Sequence, residues 1–157
     1  MLTIPTTVNQ AVGAVTGFTT PTFTTAQSST TIPNGKVATV TAKGGGAQPS
    51  AVDVHSASRP FSFLSTKPAT VRGVPALNSA GQLLNVPVNV YGLSTLKGLT
   101  SMSGQPSQRG YVKTQFGIPA GADVIDPDNV AAMILAHIMV LAQIVQEIVN
   151  TGKTGEI

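Results

Sequence analysis

The residues able to make or break bonds are few, and their spacing does not assemble a reaction centre. The two histidines, His55 and His137, are distant in sequence. His55 lies in a polar stretch and His137 inside an apolar run, where a hydrogen-bonded core histidine is the simpler expectation than a base or a ligand. Asp123, Asp126 and Asp128 are close enough to suggest a cation site. They lack the glycine and distal glutamate of a calcium loop, and the same carboxylates suit the positive end of a helix. Gly152-Lys153-Thr154 imitates the end of a phosphate-binding loop, but Glu147 stands where the leading glycine should be, and no helix can follow in the residues that remain. The chain has no cysteine, which removes disulfides and thiolate metal sites. No catalytic residue, metal or cofactor is therefore expected, and the chain does not read as an enzyme.

Another kind of chemistry is better supplied. Tyr111 and Lys113 stand two apart in a stretch that alternates, with Val112, Thr114 and Phe116 on the opposite side, which is the period of a strand with two unlike faces. The net charge of +3 is unevenly laid out: +1 over residues 1–53, +6 over 54–122 without a single carboxylate, and −4 over 123–157. A strand-rich, carboxylate-free middle segment is what a sheet facing a polyanion would carry, although six cations over that length also serve as ordinary solubilising charge.

The elements that must position these residues follow from punctuation and period. At 157 residues the chain is one domain's worth, and its 10% charged and 4% aromatic content, rich in Thr, Ser, Gly and Pro, favours strands and turns over a helical bundle. Short strands are expected at 22–26 and 36–42, forming an N-terminal hairpin within a Thr-rich region 1–50, with a turn at Pro33-Asn34-Gly35 between them. A further short strand is expected at 52–55. The main sheet is placed at 59–118, with strands at 59–66, 85–91 and from Tyr111 onward. Val86, Val88 and Val90 are expected to face inward, and Pro87 to unpair the ladder locally. Residues 67–84 form a punctuated connection and 98–110 a polar, small-residue loop. Ser62, Asn89, Tyr91, Tyr111 and Lys113 would then share one uncovered sheet face.

Asp126 as N-cap, Pro127 at the first helical position and Asp128 beside it open a helix over 126–150, about 33 Å from residue 129 to its end, with 151–157 left as a tail. That helix is apolar nearly all round. Val130, Ile134, Ile138, Leu141, Val145 and Ile148 form one stripe, and Met133, Leu135, Met139, Val140, Ile144 and Val149 cover much of the rest. A helix of this kind needs a second core, which a small domain obtains from a partner. A membrane span is not expected, because His137, Gln143, Gln146 and Glu147 interrupt the run short of the ~20 residues required. Residues 1–10 lack the basic start and apolar core of a secretory leader. The order of elements gives an α+β fold, an antiparallel sheet followed by a C-terminal α-helix.

Tyr111-x-Lys113 on a strand, the turn IPAGAD at 118–123 and DPDNV opening an apolar helix resemble the coat proteins of single-stranded RNA bacteriophages, over roughly residues 60–150. The resemblance implies an interlocked dimer in which two sheets join into one continuous sheet and each helix packs across its partner, with Ile134, Ile138, Leu141 and Val145 at the dimer interface. It implies assembly into an icosahedral shell in the bacterial host cytoplasm, localisation in the virion, and a stem-loop of genomic RNA bound on the open sheet face for packaging and translational repression. Tyr111 matches the family's base-stacking tyrosine, Lys113 a polar RNA-contacting position, Asn89 a polar or basic position on the neighbouring strand and Ser62 a small hydroxyl residue beyond it. The loop 98–110 matches the family loop that meets its copies around the symmetry axes. Two departures stand out: the family's second C-terminal helix has no room in 151–157, and the N-terminal region is long. The alternative is a structural subunit of another virus or of a fibre, without specific RNA binding.

Overall fold

The structure, a computed structural model, describes residues 4–9, 15–18, 20–28, 32–45 and 59–155. Six strands form one antiparallel sheet in chain order: β1 (Thr7–Asn9), β2 (Pro21–Gln27), β3 (Gly35–Gly45), β4 (Ser62–Thr66), β5 (Val88–Leu99) and β6 (Gln108–Pro119). Three helices follow, α1 (Ala122–Ile125), α2 (Pro127–Gln143) and α3 (Val145–Thr154). The architecture is thus the expected α+β one.

The β2–β3 hairpin is present, with Asn34 in the left-handed region at φ 56° and the Gly35 N–H donating to the Ile32 carbonyl at 3.3 Å. β1 adds a third N-terminal strand that no alternation in the sequence marks, and the ladder slips between Thr24 and Thr25. The expected strand at 52–55 lies outside the described residues. β4 begins at Ser62 rather than residue 59. β5 starts at Val88, not 85, and runs on to Leu99, so both ends of the expected 98–110 loop are strand, paired as Gly98 with Arg109 and Lys97 with Gly110. Pro87 ends up just before β5, where its carbonyl accepts the Ala120 N–H at 2.9 Å.

The tightest packing lies on one face of β2–β5. Ala38 and Val40 are fully buried, and Phe23, Phe61 and Phe63 form a chain of ring contacts at 5.2 and 5.6 Å, capped by the Lys97 ammonium 5.0 Å from the Phe61 ring. Cation and ring attract because the ring face is electron-rich, and the lysine stem adds apolar cover.

The single helix expected over 126–150 is two. Asp126 occupies the N-cap position of α2, with Pro127 at its start, but its carboxylate caps no backbone N–H and instead accepts a hydrogen bond from Asn129 Nδ2 at 2.8 Å. At Ile144 (φ −96°, ψ 15°) the axis bends by 59° and α3 begins, ending at Gly155 in the left-handed conformation. Neither Pro nor Gly stands at the bend. The contacts that go with it are tertiary: Gln146 Oε1 accepts the Thr16 N–H at 2.8 Å, and the Lys153 ammonium sits 5.8 Å from the Phe18 ring. A second helix therefore exists after all, cut from within the expected one, and takes up most of the expected tail. No residue of α1, α2 or α3 is buried. Among the described residues no single helix is long and apolar enough to cross a membrane.

Candidate nucleic-acid interface

Strand alternation decides which side chains can share a face, but only register decides how neighbouring strands line up. In β6, Arg109, Tyr111, Lys113 and Gln115 alternate with Gly110, Val112, Thr114 and Phe116. The β5–β6 register sets Tyr111 opposite Leu96 and Lys113 opposite Ser94, and the β4–β5 register sets Leu96 opposite Ser62 and Ser94 opposite Leu64. Ser62, Leu64, Ser94, Leu96, Arg109, Tyr111 and Lys113 thus occupy one face. The same register pairs Tyr91 with Phe116 and Asn89 with Ile118, which places both on the other face.

The expectation of one surface shared by Ser62, Asn89, Tyr91, Tyr111 and Lys113 is therefore corrected. Val88 and Val90, expected to point inward, instead share the face of Tyr111 and are about half exposed. The reason is that an apolar run in β5 does not by itself say which side the core takes; the Phe23–Phe61–Phe63 cluster does, and it lies on the side of Asn89 and Tyr91.

Asn89 is only 5% exposed. Its Oδ1 accepts the Arg72 N–H at 2.8 Å and its Nδ2 donates to the Arg72 carbonyl at 2.9 Å, so the amide satisfies both backbone groups of a connecting residue. Tyr91 stacks on Phe116 with centroids 5.3 Å apart and planes 15° from parallel. These two residues organise the β4–β5 connection and the sheet's closed side. The connection is also held two residues further on, where Val74 occupies the space a side chain at Gly121 would need, and Gly121 itself takes φ 89°.

On the open face, Tyr111 is 74% exposed while Ser62 is buried at 6%, its hydroxyl directed to the Pro60 carbonyl at 3.4 Å. Ser62 thus lines the floor of the face rather than projecting from it. Arg109, which alternation alone could have added, stands in line with Tyr111 and Lys113 at a spacing of two. Every charged residue in the six strands is a cation, namely Lys36, Lys43, Lys97, Arg109 and Lys113. The carboxylates among the described residues are confined to the helical segment, at Asp123, Asp126, Asp128 and Glu147. An exposed aromatic ring between two cations, on a face without carboxylates, can stack an unpaired base and neutralise the adjoining phosphates. Among the described residues no group of His, Asp and Glu could hold a metal ion.

The residues expected at a dimer contact are distributed along the helices. Ile134, Leu141 and Val145 are half-buried and Ile138 is 54% exposed; Met133, Leu135, Met139 and Val140 are also about half exposed. A single chain leaves these apolar side chains half open to water, and a run of exposed apolar residues on one element marks a surface that another molecule covers.

No family model and no curated protein sequence matches the chain. Among solved structures it is similar to the virus-like particle of bacteriophage ESE020, with a TM-score of 0.88, 35% sequence identity and coverage of 100% of both chains.

Proposed function

The chain belongs to the coat proteins of single-stranded RNA bacteriophages, and from that premise we propose that it dimerises, closes into an icosahedral shell and binds a stem-loop of genomic RNA on the Tyr111 face of its sheet. It is a structural capsid protein. The observation that carries the finer reading is the pairing of a full-length likeness to a particle-forming chain with an apolar α2 that its own sheet leaves half exposed. A second copy supplies the missing cover. Ile134, Ile138, Leu141 and Val145 are the side chains assigned to that contact.

RNA binding rests on Tyr111 as the stacking platform and Lys113 as its cationic neighbour, with Arg109 beside them and Ser62 at the floor. Asn89 and Tyr91, on the opposite face, act on the RNA site only through the fold. Binding its own hairpin selects the genome for packaging and blocks translation of the message that carries it, and assembly takes place in the bacterial cytoplasm. The role is structural rather than catalytic, in keeping with a capsid chain as neighbour.

Expression of the protein alone in bacteria, followed by electron microscopy and nuclease treatment, tests this. Closed particles that protect RNA are the expected result. Soluble monomers or open fibres would overturn the shell, and empty particles indifferent to the hairpin would favour a capsid without specific RNA binding.

A further inference from the structure

The connection from β4 to β5 presents an apolar protrusion in a fixed shape. No residue from 73 to 96 bears a charge, yet Leu77, Leu83 and Leu84 stand 61%, 46% and 57% exposed. Between them lies a turn built around Asn78. Its Oδ1 accepts the Ala80 and Gln82 N–H groups at 2.9 and 2.8 Å, its N–H donates to the Gln82 carbonyl at 2.9 Å, and its carbonyl accepts the Gly81 N–H at 2.9 Å. Gly81 supplies the positive φ of 74° that the reversal requires. These bonds hold the turn in one conformation, so the leucines on either side of it form a knob. A knob ordered in advance loses little entropy when it docks.

Earlier in the same connection, residues 71–74 and α1 enclose a recess of about 360 Å³ whose apolar lining is Val71, Val74, Val124 and Ile125. Val74 is seated over Gly121, which has no side chain to displace it, so one wall of the recess is fixed. Val124 and Ile125, at 76% and 83% exposure, are the two most exposed large aliphatic side chains among the described residues. The charged residues of the lining, Arg72 and Asp123, are of opposite sign and leave the recess without net charge.

We propose that the leucine knob at 77–84 of one copy seats in the recess beside α1 of a neighbouring copy that is not its dimer partner, and that this contact links dimers into the shell. The proposal rests on the coat-protein reading and adds a contact that the pairing through α2 leaves undefined. Pairing through α2 is complete with two chains, so a closed shell needs a contact of another kind. A contact that joins a patch to a different patch propagates around a ring, whereas one that joins a patch to itself stops at a pair. Knob and recess are two different patches on one chain. Their chemistry also matches, because an uncharged aliphatic protrusion against an aliphatic hollow has the composition of the buried centre of a protein interface rather than of its rim. A nucleic acid or an anionic lipid surface would call for cations, which the knob lacks.

The chain contains no cysteine, so introduced ones report the contact cleanly. A disulfide forms only where two Cα atoms lie within about 7 Å, so linkage reads seating rather than mere proximity. Paired variants should combine Leu77→Cys, Leu83→Cys or Leu84→Cys with Val124→Cys or Ile125→Cys. In assembled particles under mild oxidation, at least one pair should give a ladder of trimers and longer species on a non-reducing gel, and each single variant should stay monomeric. Linkage that stops at dimers, or intact particles in which no pair links, would overturn the proposal while leaving the coat reading standing. Leu84→Asp, exposed enough in one chain to be tolerated, should form soluble dimers and lose the particles, as read by sedimentation. Particles of ordinary yield and stability from that variant would also overturn the contact. Absence of particles from the unmodified chain would instead remove the coat reading itself.

Discussion

Asn89 and Arg72 are joined by two hydrogen bonds, 2.8 and 2.9 Å, in which the Asn89 amide takes the place of a strand neighbour for the Arg72 backbone. The pairing fixes the early part of a connection of some twenty residues to the closed side of the sheet, beside the Tyr91–Phe116 stack. A residue of the type expected to read RNA is spent on holding a loop.

Asn89→Ala should therefore destabilise the protein rather than its RNA complex. Removing a buried amide strands the Arg72 N–H and carbonyl, a loss of about 1–3 kcal/mol. Urea denaturation of the purified protein measures it. Hairpin affinity of the surviving folded protein should be unchanged, and a binding loss without a stability loss would return Asn89 to the RNA site.

Tyr111 and Tyr91 separate the two faces in one experiment. Tyr111→Ala should weaken hairpin binding by about 1–3 kcal/mol, the worth of one base–aromatic stack, and leave particle formation intact. Tyr91→Ala should spare binding and cost about 0.5–1.5 kcal/mol of stability through the lost ring pair, beyond what its burial contributes. Filter binding at fixed salt, run beside a denaturation series, distinguishes them.

Lys113→Ala should lower hairpin affinity at every sequence tested and reduce the steepness of its salt dependence by roughly one phosphate's worth. Titrations across a range of salt concentrations give that slope. An unchanged slope would mean that this ammonium meets no phosphate.

Ile138→Asp should abolish soluble dimers and particles. The side chain is 54% exposed in one chain, so the change is tolerable to a monomer but places an unpaired charge in a helix contact between copies. Sedimentation provides the readout. Particles of ordinary yield and stability would show that α2 is not covered there.

Much of this molecule is legible from residue order. The sorting of charge into a cationic middle and an acidic helix start follows directly from composition along the chain. Asp126-Pro127 marks the start of α2, because a proline at the first helical position loses no hydrogen bond. The helix's apolar circumference announces that it lacks a core of its own, and α2 is indeed left half exposed by its own chain. The alternation around Tyr111 correctly assigns Tyr111 and Lys113 to one side of β6.

What the sequence could not determine is how one element stands against the next. Period two sorts side chains within a strand, but whether Asn89 shares a face with Tyr111 depends on an offset between strands that a single residue would reverse. That offset is set by the whole ladder from Val88–Pro119 to Leu99–Gln108 and by where Phe23, Phe61 and Phe63 collect. The bend at Ile144 is of the same kind: no breaker residue marks it, and α3 meets Thr16 and Phe18, more than a hundred residues away. Local pattern reports what each segment can bury, and only the tertiary contacts choose the direction in which it buries it.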